Sequence, residues 1–169
     1  MAKLETHASR PWYPIVIGLI AMVDYFITLL PMVAVMVTSV LAAPKRWLRL
    51  GIFTALGSSA GGILFGMLVR RLGPVTLQKL SPHLMHTQAW HQTEHFIEAH
   101  GILTVFVIGV LPLADHPAIA IVSLSRMPML EIVFAVTFSK LIKFIGFAWI
   151  AAHSPKLLKR FKQKPDKIT

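Results

Sequence analysis

Cysteine is absent from this 169-residue chain, which excludes disulfides and thiolate metal sites. Charge is scarce too: 14% of residues are charged, against about 25% in a soluble domain. The scarcity is uneven, since residues 50–69 carry no charge at all. An apolar run of about 18 residues or more crosses the ~30 Å hydrocarbon core of a bilayer as a helix, so a membrane protein is expected in place of a soluble domain. The N-terminal part lacks a small-residue cleavage pattern, and its apolar stretch holds Asp24, so it is not read as a signal peptide. What fills the chain is apolar: 55% of residues are hydrophobic, and the mean hydropathy is +0.66. The length suits one domain.

The charge that remains is one-sided, with a formal net value of +10. Its Lys and Arg residues sit between apolar runs, not along one stripe, which argues against nucleic acid. Six of them (Lys156, Lys159, Arg160, Lys162, Lys164, Lys167) form a C-terminal tail. That distribution fits the positive-inside rule and contact with the anionic headgroups of membrane lipids.

The apolar segments differ in kind. Residues 1–10 are polar, and Pro11, Trp12 and Tyr13 read as an interfacial belt. Residues 11–43 form a first broken segment, interrupted at Asp24 and Pro31. Its pieces, 14–23 and 32–42, each cover roughly 15 Å at 1.5 Å per residue, about half a bilayer. Two half-length helices meeting at a polar break predict a re-entrant hairpin, which is tolerated at depth only where it packs in protein or lines a wet cavity. Residues 44–72 hold a basic loop (44–49) and a first span. Residues 73–100 are polar, contain five of the eight His, and read as an amphipathic helical linker outside the membrane or on its surface. Residues 101–126 form a second broken segment, with its break from Leu111 through Pro112, Asp115 and His116 to Pro117. Residues 127–153 are the last span and 154–169 the basic tail.

The order is broken segment, span, linker, broken segment, span. It predicts an all-α integral membrane fold of two inverted repeats, each a re-entrant helical hairpin plus a transmembrane helix. On this topology one side holds Lys3, Arg10, Lys45, Arg46, Arg49 and the tail, and the other holds Arg70, Arg71, Lys79 and Arg126. That asymmetry places both termini in the cytoplasm, in a multi-pass protein of the inner (plasma) membrane. If both broken segments crossed fully, the chain would have four spans and the 45–49 loop would lie outside.

The residues Val23-Asp24-Tyr25-Phe26 with Pro31, then Ala43-Pro44-Lys45-Arg46-Trp47, then Leu56-Gly57-Ser58-Ser59-Ala60-Gly61-Gly62 resemble the VTT-domain superfamily. That superfamily includes the DedA and SNARE-associated Golgi proteins. His100-Gly101, Leu111-Pro112, Ser125-Arg126-Met127-Pro128 and Phe138-Ser139-Lys140 extend the resemblance over about residues 15–152, closest to the short YqaA-like branch. The resemblance implies two opposed re-entrant hairpins in a small bundle. It also implies lipid handling: flipping or scrambling of phospholipids or undecaprenyl phosphate, in some members with proton dependence. One departure stands out. DedA-type members carry Arg around the second re-entrant Pro, the natural partners for a phosphate, and Val110–Pro117 has none, which argues against transport of a phosphate lipid.

Asp24 and Asp115 are expected at the centres of the two breaks. An ionisable group at bilayer depth costs about 3 kcal/mol or more and is a functional candidate by default, since it can take and release a proton during a transport cycle. The structural alternatives are a helix cap for Asp24 and a turn for Asp115. His116 is a proton-sharing neighbour or a plain loop residue. Lys140 and Lys143 lie three apart in the last span, to pair with a carboxylate, bind an anionic headgroup, or snorkel to the interface. Glu131 suits a helix start. Gly57, Ser58, Gly61, Gly62 and Gly66 recur at helical period and predict close helix packing. His91-Gln92-Thr93-Glu94-His95 matches the H-x-x-E-H zinc-peptidase pattern. A peptidase needs a third ligand and a cleft, so His91 and His95 are expected to be solvated, with metal capture a weak alternative.

The residues alone thus predict a transporter, not an enzyme, with no cofactor and possible homo-oligomers. Only the resemblance adds that the cargo is a lipid or lipid-linked anion. A small-solute or ion transporter and a non-transporting membrane scaffold are the alternatives.

Overall fold

A computed structural model describes residues 10, 12–27, 31–80, 87–111, 116–125 and 127–154. Among these the chain is all-helical, with seven α-helices and no strand. Two helices are long and apolar enough to cross a membrane: Pro44–Gly73, which includes a short 3-10 turn, and Met129–His153. Contacts divide the chain into two compact units, Met1–Ser58 with Phe144–Thr169, and Ser59–Lys143.

In the first unit, α1 (Tyr13–Ile27) opens with Pro14 in its first turn, where the missing N–H is not needed. It runs past Asp24, four residues beyond the expected end at 23. A single Asp costs a helix only a few tenths of a kcal/mol. Pro31, which has no N–H to donate, stands where the next helix begins. Pro31 takes the N-cap position of α2 (Met32–Ala42), without a capping hydrogen bond from a side chain. The expected basic loop is helical instead. Pro44–Arg46 form a 3-10 turn that leads straight into α3 (Trp47–Leu80). Pro44 presets the φ of that turn.

Glycine sets how closely α1 and α3 approach. A Cβ on Gly57 would collide with the backbone of Gly18, and one on Gly18 would lie 2.7 Å from the Phe53 carbonyl oxygen. The Tyr13 and Ser39 hydroxyls, 3.0 Å apart, tie α1 to α2.

The second unit receives the rest of α3, which kinks at Gly73 (φ 73°, ψ 171°). That positive φ is one an L side chain resists, and Pro74 follows. Then come α4 (Gln88–His100), α5 (Ile102–Val110), α6 (His116–Leu124) and α7 (Met129–His153), of which the part up to Lys143 belongs to this unit. Thr87 caps α4 by accepting from the Trp90 amide at 3.2 Å. Gly101, at φ 59°, turns the chain from α4 into α5, and the Thr104 hydroxyl donates to the Phe96 carbonyl at 2.8 Å. The core of the unit is α6: Ala118 through Ser123 are all buried. The expected linker helix α4 packs on α6 and α5, burying Trp90 and Ile97. It is part of the folded body.

The outward faces are apolar. Ile15, Leu19 and Val23 of α1, and Leu130, Phe134, Phe138 and Ile142 of α7, recur at i, i+4 and are about half exposed or more. Exposed apolar rows of this kind mark a membrane or interaction face.

Candidate functional site

Among the described residues Lys140 and Lys143 are the two buried charged side chains. They are 3% and 8% exposed, and lysine is almost never buried to that degree unless paired. Each is engaged by an interaction within the protein. Both belong to the middle of α7, and Lys140 lies among residues of α5 and α6 in the second unit.

The surroundings of Lys140 are tight and apolar. Val105 and Gly109 of α5, Ala118 and Ile119 of α6, and Val136 and Ser139 of α7 close around it, leaving no room for a water molecule. Gly109 makes this packing possible, since a Cβ there would collide with the Ser139 hydroxyl. Ser139 is satisfied within its own helix, donating to the Val136 carbonyl at 3.0 Å. The Lys140 position is therefore dry and held from three helices.

His116 is half-buried in the first turn of α6, not in the break. Its ring meets Phe65 edge-on at 6.0 Å, and it makes a further interaction in the protein. Pro117 also falls in the first turn of α6, where a helix tolerates proline. Neither residue is part of the interruption itself. Asp115 and Pro112 lie outside the described residues, as does the basic tail.

In the first unit Asp24 is partly exposed and held by an interaction within the protein. It sits in the last turn of α1, so it is not at a helix break and does not occupy the N-cap of α2, which is Pro31.

Gly57, Ser58, Gly61, Gly62 and Gly66 all lie in α3. Gly57 meets Gly18 in the first unit. Gly61 and Gly62 are buried, and Gly66 packs on α6, where a Cβ would lie 2.6 Å from the Ser123 hydroxyl. Gly57 and Gly66 meet neighbouring helices, as structural glycines do.

His91 and His95 are exposed on α4. His91 Nδ1 lies 3.9 Å from a Glu94 carboxylate oxygen. Among the described residues no group of three His, Asp or Glu gathers to hold a metal.

Sequence reasoning missed the roles of Gly109 and Ser139 as walls of the Lys140 site, and the buried hydroxyls of Ser59 and Ser123, which find no partner among the described residues. The available signal was a small or polar residue inside an otherwise apolar helix.

Comparison with protein-family models, with curated proteins and with solved structures finds no match to this chain.

Proposed function

We propose that this chain is an integral membrane transporter of the DedA/VTT type, which moves a lipid or lipid-linked anion and couples the movement to protons through Asp24 or Asp115. The observation that carries the reading is the burial of two lysines, Lys140 and Lys143, the first of them among tightly packed residues of three helices. A buried cation is expensive to keep, and at membrane depth such groups mark ion and substrate paths. Two span-length helices and outward stripes of large apolar residues support a bilayer setting. The half-length helices α1 and α2, and α5 and α6, suit two re-entrant hairpins. In this reading the protein sits in the inner membrane with both termini in the cytoplasm.

The test is flipping of a fluorescent phospholipid or polyprenyl phosphate by the purified chain in liposomes, with and without a pH gradient. Accelerated flipping is expected, and Lys140→Met or Lys143→Met should reduce it at least tenfold while the protein elutes as the wild type. Asp24→Asn and Asp115→Asn should remove the response to the gradient. Flipping no faster than in empty liposomes rejects the lipid reading. Uptake of small ions into the same vesicles would then support the solute alternative, and its absence a scaffold.

A further inference from the structure

Leu64, Met67, Leu68 and Arg71 occupy positions i, i+3, i+4 and i+7 of α3 and share one helix face. With Arg70 and Met129 they line an open groove of about 630 Å³ in the second unit. Its floor is apolar: Leu64, Met67 and Leu68 are each 44–46% exposed. Its end is cationic, because the stripe runs into two adjacent arginines where the charge-free stretch of α3 stops.

Arg70 is held in place. Its Nη1 donates to the Met127 carbonyl at 3.2 Å and approaches the Met129 sulfur at 3.8 Å. A guanidinium has five N–H donors, so most of its capacity points elsewhere. Among the described residues neither Arg70 nor Arg71 is paired with a carboxylate. Two uncompensated guanidiniums at the head of an apolar channel match an anionic amphiphile: arginine is suited to bidentate contact with phosphate, and the channel offers cover for a hydrocarbon chain. The volume falls within the ~300–1,000 Å³ of small-molecule sites.

We infer that this groove binds one anionic phospholipid, its phosphate on Arg70 and Arg71 and an acyl chain along Leu64, Met67 and Leu68. The inference rests on the membrane setting but not on transport, and the site is separate from Lys140 and Lys143.

The full chain in detergent is titrated with phosphatidylglycerol and with phosphatidylcholine of the same acyl chains, and bound lipid is read by native mass spectrometry. One phosphatidylglycerol is expected to bind in preference to phosphatidylcholine. Arg70→Gln with Arg71→Gln should weaken it roughly thirtyfold, since each arginine near an anionic surface contributes about 1 kcal/mol. Arg71→Gln alone leaves the Arg70 bond to Met127 intact and should cost roughly fivefold; it decides the matter if the double variant fails to fold. Leu68→Trp, which fills the groove and leaves the charge, should also weaken the lipid. Replacing the six tail Lys and Arg by Gln should leave this one site in place. Equal binding of the two lipids overturns the inference. So does a loss confined to the tail variant, or full binding by Arg71→Gln. Failure of flipping in the Lys140 variant leaves these outcomes unchanged, so the two readings fail separately.

Discussion

At the scale of the residue, buried polar groups divide into those that are held and those that are not. Lys140 is engaged, enclosed and without room for water. Lys140→Arg keeps the charge but overfills that space, and overpacking costs about 1–3 kcal/mol. It should lower the thermal midpoint of the detergent-solubilised protein, where Lys140→Met, similar in volume, lowers it less. Ser123 is the opposite case: its buried hydroxyl finds no partner among the described residues. An unsatisfied buried hydroxyl costs about 1–3 kcal/mol, so Ser123→Ala should leave the midpoint unchanged or raise it, and a clear drop would reveal a partner. Thr87 caps α4, and Thr87→Ala should cost about 1 kcal/mol, read as faster amide exchange in the first turn of α4 with little change in α6.

At the scale of the element, close approach is set by single glycines. Gly57→Leu cannot be accommodated against Gly18 and should prevent the first unit from packing, whereas Gly146→Ala, with nothing within 4 Å of an added Cβ, should be tolerated. Folded yield and retention volume of the two variants make the comparison. The same contrast shows what a sequence can disclose. The span-length helices and the start of α2 at residue 32 followed from apolar length and from Pro31, because proline acts locally. Asp24 misled, since a lone carboxylate interrupts hydropathy without interrupting a helix. The 44–49 stretch misled as well, because polarity was taken for a loop where Pro44 starts a turn of helix. The packing of α4 on α6 and the meeting of Gly109 with Ser139 depend on contacts between segments distant in sequence, and no local pattern encodes them. Lys140 is expected deep in a bilayer from its place far from both ends of an apolar run; its burial in protein against α5 and α6 depends on contacts that no local pattern encodes.

At the scale of the whole molecule, the absence of cysteine makes topology directly measurable. Single cysteines placed at Arg10, Arg46 and Ser154 should all react with a membrane-impermeant maleimide only from the cytoplasmic face in oriented vesicles, while one at His91 reacts from the opposite face. Labelling of Arg46→Cys from outside would instead establish four full crossings. One further consequence comes from α3. Arg49 and Arg70 bracket its charge-free stretch, 21 residues apart, or about 31 Å along a helix. That is close to the ~30 Å hydrocarbon thickness of an average bilayer, and mismatch costs fractions of a kcal/mol per Å. In a bilayer setting α3 is therefore a ruler with a charged mark at each end: thinner membranes oblige it to tilt, thicker ones draw an arginine inward, and the protein is most stable where the lipid chains match its length.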